Sequence, residues 1–293
     1  MDDRHEHDLG LAHDLRVMGR RRALRWFGAA GAAAGAALLT GCANGETTGG
    51  TTETTGTMTT TSTLAAAPQE TAGPYPGDGS NGPNVLIESG VVRQDLTTSF
   101  GAYSGVAEGV PVTIELTLVD LVASAPGADM AVYLWHCDRE GRYSLYSSGV
   151  EEENFLRGVQ VADGDGRIRF TSIFPACYDG RWPHIHFEVY DSLATAVAGS
   201  NARLTSQIAL PQDACEQVYA YDSAYSSSPS NLSRVSLSSD NVFGDGWDAE
   251  LATVTGTPAN GMTIALTIGV GEASATTGAT DARGGPDGSR PTG

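Results

Sequence analysis

Alternation of apolar and polar residues predicts β-strands through the middle of the chain. Residues 110–119 place an apolar side chain at every second position, the pattern of a strand with one buried face. Residues 132–135, 167–171 and 184–190 show the same period. Many short strands separated by turns are typical of a β-sandwich. The predicted fold class is therefore all-β, a single β-sandwich domain with long loops.

One turn and one helix stand out between these strands. Asp163-Gly-Asp-Gly166 precedes the strand at 167–171 and is predicted to form the tip of a hairpin. The segment also resembles the start of a calcium-binding loop, but the later ligands of that motif are missing, so a turn is predicted. Only residues 210–221 are expected to form a short helix, with Pro211 near its start and Asp213 in its first turn.

Residues 1–41 are predicted to be an export signal. Arg20–Arg22 precede an Ala/Gly-rich apolar run too short and glycine-rich to span a membrane comfortably, and the arginines resemble a twin-arginine signal. Leu39-Thr-Gly-Cys42 resembles a bacterial lipobox, in which Cys42 would carry the lipid. The alternative is an ordinary cleaved signal with an incidental cysteine. Met18 is a second candidate start. We expect an exported protein, lipid-anchored to the outer face of the cell membrane.

The segments at both ends of the domain have low-complexity composition. After Cys42 the chain to residue 67 is almost entirely Thr, Gly, Ser and Ala, with Glu46 and Glu53 its only charges. Such a segment buries too little apolar surface to offset its ordering entropy, so residues 42–67 are predicted to be a disordered tether. Residues 272–293 are similar and are predicted to be a disordered tail. One sandwich domain, residues 68–271, remains.

Charge and histidine content narrow the chemistry. The net charge of −18 argues against nucleic acid as a partner, because phosphate binding needs a basic face. All 17 basic residues are arginine, which excludes Schiff-base lysines and the P-loop lysine. Beyond the signal the only histidines are His136, His184 and His186. Any histidine-dependent site must draw on these three.

The pair His184 and His186 is the sharpest feature. Side chains two apart on a strand point to the same face, so both imidazoles can converge on one metal ion. Ile185, Phe187 and Val189 then point into the core on the other face. Two histidines facing solvent are the alternative interpretation of this pair.

Four segments resemble the intradiol ring-cleavage dioxygenases of catechols. They are residues 70–75, 135–144, 155–166 and 173–186, which follow the family's order and span nearly the whole domain. In that family two tyrosinates and two histidines bind iron(III). The resemblance places these ligands at Tyr143, Tyr178, His184 and His186. Iron(III) is a hard ion that prefers oxygen donors, and holding two phenolates at neutral pH needs a strong Lewis acid.

The resemblance also implies roles for other residues. A catechol would displace Tyr178, whose phenolate could then accept a catechol proton. Arg181 matches the arginine that stabilises charge on the bound ring, and Gln207 resembles the glutamine that lines the same pocket. Tyr75 is expected at the pocket mouth or packed on the sheet. His136 matches no ligand position and is expected to be a packed or second-shell histidine.

Several features depart from the family. Ala176 and Cys177 precede Tyr178 where related enzymes often have Gly-Pro or Gly-Trp. The helical dimerisation domain of the catechol enzymes is not evident, so the diol and the oligomeric state stay open. In the exported context one disulfide could form among Cys137, Cys177 and Cys215, without indication of which two.

These features predict an iron(III) enzyme that uses O2 to cleave a catechol-type diol to a muconate-type diacid. The main alternative is a non-catalytic lipoprotein that binds ligands or partners on the same sandwich. For a metal-dependent hydrolase, the sequence has no carboxylate near the histidine pair at the usual spacing of a third ligand. A serine hydrolase would need a Gly-x-Ser-x-Gly turn, which the sequence does not contain.

Overall fold

Nine strands form most of the regular structure in a computed structural model that describes residues 64–199 and 201–273. The predicted signal, Cys42, most of the tether and most of the tail lie outside these residues. The strands, in chain order, are β1 (Pro111–Asp120), β2 (Ala125–Pro126), β3 (Ala131–Trp135), β4 (Arg157–Val161), β5 (Arg167–Ile173), β6 (His184–Tyr190), β7 (Leu204–Ala209), β8 (Thr253–Thr257) and β9 (Gly261–Val270).

The strands form two sheets. In the first sheet β1 pairs with β5 and β2 on one side and with β9 on the other, and β8 follows β9. The pairing of β1 with β9 is parallel, whereas all other pairs in both sheets are antiparallel. The second sheet has the order β4-β3-β6-β7. The all-β sandwich expected from the sequence is confirmed.

The core lies between the sheets and follows the alternation of each strand. The buried positions of β1 alternate with more exposed ones, and β6 contributes Ile185, Phe187 and Val189, all fully buried. The outer face of β6 is buried as well, because the segment before β1 lies against the second sheet. The Glu70 amide donates to the Thr205 carbonyl of β7. The histidines of β6 are therefore enclosed rather than exposed.

Short helices lie beside the sheets. They are α1 (Leu193–Val197), α2 (Gln212–Tyr221), α3 (Ser228–Leu232) and a 3-10 helix at Phe243–Asp245. The prediction for α2 is confirmed, with Pro211 as its N-cap residue and Asp213 in its first turn. The expectation that it would be the only helix is wrong. Among the described residues no helix is long and apolar enough to cross a membrane.

The predicted hairpin at Asp163–Gly166 needs correction. A tight turn does form there, and the Asp163 side chain accepts hydrogen bonds from the amides of Asp165 and Arg167. The flanking strands, however, pair in different sheets, β4 with β3 and β5 with β1. The turn therefore carries the chain from one sheet to the other.

Candidate metal centre

The four predicted metal ligands converge at one place. Tyr178 Oη lies 3.1 Å from His184 Nε2, and His184 Nε2 lies 3.1 Å from His186 Nε2. The Tyr143 ring centroid is 6.1 Å from that of His186 and 6.0 Å from that of Tyr178. Both histidines are buried, so the alternative of a solvent-facing pair is wrong.

Hydrogen bonding decides which nitrogen of His184 carries the proton. Nδ1 lies 2.6 Å from the Trp182 carbonyl oxygen, which can only accept, so Nδ1 is the donor. Burial lowers the pKa of His184 well below its ordinary value, and the positive charge of Arg181 acts in the same direction. The ring is therefore neutral, and its lone pair is on Nε2, the atom that faces Tyr178 and His186.

The ring of His186 is held by aromatic stacking. Trp135 is its cross-strand partner on β3, and the two rings stack with centroids 4.9 Å apart and planes 5° apart. Tyr133 also stacks on Trp135, with ring centroids 4.9 Å apart. Burial, followed by the neighbouring His184, lowers the pKa of His186 well below its ordinary value. Trp135 thus fixes the plane of a predicted ligand.

Tyr143 lies in the loop between β3 and β4, and its hydroxyl group is buried. This hydroxyl makes no well-formed hydrogen bond to another described residue. Burial raises the pKa of Tyr143 well above its usual range, and the nearby Tyr178 acts in the same direction, whereas Arg181 opposes them. A buried hydroxyl of this kind costs free energy unless something binds it. A cation beside the hydroxyl would supply that interaction.

The donor set fits the hard metal ion that the resemblance implies. Neighbouring donor atoms 3.1 Å apart match two ligands that share one ion through bonds of roughly 2 Å. Phenol oxygens suit a hard trivalent ion, and its charge would offset the cost of ionising the buried Tyr143. Across residues 64–199 and 201–273, no group of three or more His, Cys, Asp or Glu side chains is arranged to hold a metal ion.

Arg181 and Gln207 lie together beside this cluster. Gln207 is the cross-strand partner of His186 on β7, and its Oε1 accepts a hydrogen bond from Arg181 Nη2 at 2.7 Å. Gln207 Nε2 donates to the Thr71 carbonyl at 3.0 Å, which sets the orientation of the amide. Arg181 Nε donates to Asp240 Oδ2 at 3.0 Å. The structure therefore brings the two predicted pocket residues to one side of the cluster.

Tyr75 packs against the cluster from the segment before β1. Its ring lies between those of Tyr143 and Tyr146, with centroid distances of 5.1 and 5.2 Å. Tyr75 is only half-buried. The ring of Tyr75 therefore packs against two tyrosines of the loop between β3 and β4, one of which is the predicted ligand Tyr143.

A buried arginine of β4 holds this segment in place. Arg157 donates from Nε to Ser144 Oγ at 3.0 Å, from Nη2 to the Ser144 carbonyl at 2.9 Å, and from Nη1 to the carbonyls of Tyr75 and Pro76, both at 2.9 Å. Gly77 has a φ of +69°, and a Cβ there would lie 2.9 Å from Arg157 Nη1. Arg157 therefore joins the Tyr75 segment to the loop that carries Tyr143.

His136 and the cysteines are not among the four side chains that converge. His136 Nδ1 lies 2.8 Å from the Cys137 carbonyl and Nε2 lies 2.8 Å from Ser172 Oγ, and burial lowers the pKa of the ring to about 4. It is a packed histidine, as expected. Cys137, Cys177 and Cys215 are all buried and free, so the disulfide that the sequence permitted is not formed among them.

A cavity of about 640 Å³ opens beside Tyr178. Its lining includes Gly141, Cys177, Asp179 and residues 226–228. Tyr178 is half-buried, whereas Tyr143 is 2% exposed. Of the two tyrosines, Tyr178 is therefore the one with space beside it.

Sequence reasoning missed Asp240, Thr71, Arg157 and the stacking role of Trp135. Of these, Trp135 had a usable signal, because it lies in a predicted strand next to a segment that carries a predicted ligand. The others act through contacts that the loops create.

Comparisons with known proteins agree with this architecture. The model of a family described as Dioxygenase matches residues 81–248, more than half of the chain. An intradiol ring-cleavage dioxygenase from Tetranychus urticae is 22% identical, with a TM-score of 0.54 and coverage of 71% of this chain and 95% of that one. Another dioxygenase crystal structure gives 22% identity, a TM-score of 0.55 and the same coverage. A hydroxyquinol 1,2-dioxygenase from Pseudomonas putida DLL-E4 is 16% identical, with a TM-score of 0.43 and coverage of 71% of this chain and 67% of that one.

The chain belongs to this dioxygenase family. Within the family, it has the fold of the intradiol ring-cleavage enzymes. The resemblance noted in the sequence is confirmed.

Proposed function

We propose that this protein is a non-haem iron(III) dioxygenase that cleaves a catechol-type diol between its two hydroxylated carbons. Both atoms of O2 would enter the product, a muconate-type diacid. The observation that carries this proposal is the convergence of Tyr178 Oη with the Nε2 atoms of His184 and His186 at 3.1 Å spacings. Tyr143 lies beside them with its buried hydroxyl.

The four side chains would hold the metal through two phenol oxygens and two imidazole nitrogens. Iron(III) bound there would supply Lewis acidity towards the diol oxygens and make the ring reactive towards O2. Burial of His184 keeps its imidazole neutral, as a ligand must be. The Trp182 carbonyl holds the proton of His184 at Nδ1, so Nε2 is available to bind.

Two of these residues would also act on the diol. Tyr178 is half-buried and borders the cavity, so its side chain would have room to move, and its phenolate would accept a diol proton at Oη. Arg181 Nη2 donates to Gln207 Oε1, and Gln207 is the cross-strand partner of the predicted ligand His186. The guanidinium group of Arg181 would stabilise negative charge that develops on the ring as O2 adds.

The site of action would be outside the cytoplasm. This part of the proposal rests on the twin-arginine and lipobox features before Cys42, which lie outside the described residues. The diol would then reach the enzyme at the outer face of the cell membrane.

The experiment combines colour with oxygen uptake. Iron-loaded protein should be coloured by charge transfer from tyrosinate to iron(III) and should consume O2 with members of a catechol panel. His184→Gln should remove the colour and most of the bound iron, because one donor of four is lost. His136→Gln is the matched control, since His136 is an equally buried histidine outside the cluster, and it should keep both.

Two results would contradict the proposal. Stoichiometric iron with unchanged colour in His184→Gln would remove His184 from the ligand set. Catechol binding without any oxygen uptake by the wild-type protein would favour the alternative, a non-catalytic binding lipoprotein on the same fold.

A further inference from the structure

Asp240 has an unusually complete set of hydrogen bonds for a side chain outside the predicted site. Oδ2 accepts from Arg181 Nε at 3.0 Å and from the Trp182 amide at 2.7 Å. Oδ1 accepts from the amides of Val242 and Phe243 at 2.8 and 3.2 Å. The carboxylate is fully buried. It thus joins the start of the 3-10 helix to the loop that precedes β6.

The contacts of Arg181 come from two directions. Asp240 binds Nε, and Gln207 binds Nη2 through an amide whose own orientation is set by the Thr71 carbonyl. The two partners lie in separate parts of the chain, Gln207 on β7 and Asp240 before the 3-10 helix, and Thr71, which orients Gln207, lies before β1. This arrangement holds the long Arg181 side chain, which has many possible rotamers, in a single rotamer.

The ion pair does more for geometry than for stability. Arg181 and Asp240 have side chains that are 1% and 0% exposed. Removing both charges from water costs about as much free energy as their attraction returns, so such a pair contributes little net stability. It does supply a fixed direction for the guanidinium group, which electrostatic stabilisation of a reacting ring requires.

We propose that Asp240 is a positioning residue that acts through Arg181. It holds the guanidinium group in the orientation in which Arg181 and Gln207 meet the diol beside the metal ligands. This inference rests on the proposed function for its kinetic consequence, but the orientation itself can be measured without any turnover.

The kinetic arm uses the iron-loaded protein and the best diol of the panel. Asp240→Asn should lower kcat by about 10- to 100-fold, the scale of a misplaced group, with KM changed much less. The colour change on adding the diol should persist, because the metal ligands are untouched. Asp120→Asn is the matched control, because Asp120 also pairs with an arginine, Arg203, away from the cluster. It should leave kcat unchanged.

A double-mutant cycle separates positioning from general damage. In an Arg181→Met background, Asp240→Asn should have no further effect on kcat, because Asp240 acts through the missing group. An independent, multiplicative loss in the double mutant would overturn the proposal. Should Asp240→Asn fail to fold, Asp240→Glu keeps the charge but shifts it by one methylene, and the same loss of kcat is expected.

The last arm does not depend on activity. In protein labelled with 15N-arginine, the Arg181 Nε–H signal, assigned by its loss in Arg181→Met, should exchange slowly with water. Asp240→Asn should speed this exchange at least several-fold. Unchanged exchange overturns the positioning role. If the wild-type protein consumes no O2 but the exchange still responds, the proposed function fails and the role of Asp240 in orienting Arg181 stands.

Discussion

Glu250 is a buried carboxyl group that the proposed chemistry does not use. It is 1% exposed, and Ser206 Oγ donates to its Oε1 at 3.3 Å. Burial raises its pKa to about 9, and the neighbouring Glu70 acts in the same direction. Between its unfolded pKa of 4.5 and this folded value, the folded protein holds a proton that the unfolded chain releases.

The free energy of unfolding should fall as pH rises through this window, by at most about 1.4 kcal/mol per pH unit for one proton. We expect Glu250→Gln to remove that loss, so that its stability advantage over the wild type grows between pH 7 and 8.5. Urea unfolding at several pH values measures this. Glu152→Gln, an exposed control, should run parallel to the wild type.

At the scale of single residues, the family resemblance identified the four clustered side chains but not the residues that hold them in position. It located Tyr143, Tyr178, His184 and His186 because their residue types and order are visible along the chain. Asp240 lies more than fifty residues after Arg181 in an irregular segment, and no periodicity indicates that the two meet. The cysteines could not be judged either, because pairing depends on distances that only the fold sets.

At the scale of elements, alternation gave the buried faces but not the partners of the strands. The pattern of β1 matched the structure closely, because its buried positions alternate with more exposed ones. The alternation in β6 identified the face that carries the core, but all seven residues of this strand are buried. The turn at Asp163–Gly166 has the residues of a hairpin, yet it joins strands of different sheets. Alternation indicates which side chains are buried. A short glycine-containing turn, however, can join two strands of one sheet or two strands of different sheets.

The junction at Arg157 gives a test at this scale. Arg157→Met should lower the free energy of unfolding by on the order of 3 kcal/mol or more, because the carbonyls of Ser144, Tyr75 and Pro76 would remain buried without their donor. Arg167→Met is the control, since that side chain is mostly exposed, and should change stability by less than about 1 kcal/mol. A loss at Arg157 no larger than at Arg167 would mean that the junction contributes little.

At the scale of the whole molecule, the predicted anchor remains to be tested. If Cys42 is lipidated, the mature protein should partition into the detergent phase, and Cys42→Ser should release it or stop its maturation. Replacing Arg20–Arg22 by glutamine should leave precursor inside the cell, because the proposed signal depends on them. Phase partitioning and fractionation measure both. A wild-type protein found wholly in the aqueous phase would contradict the anchor.

The position of β9 has a consequence for how the domain is made. β9 lies between β1 and β8, and nearly half of the 293-residue chain separates it from β1. During synthesis, one edge of β1 therefore remains without its strand partner until β9 has left the ribosome. Pairing across so long a separation is slow, because loop closure precedes the contacts that reward it. Chaperones that bind exposed strand edges would therefore act on this domain until β9 has been synthesised, because only then is the second edge of β1 covered.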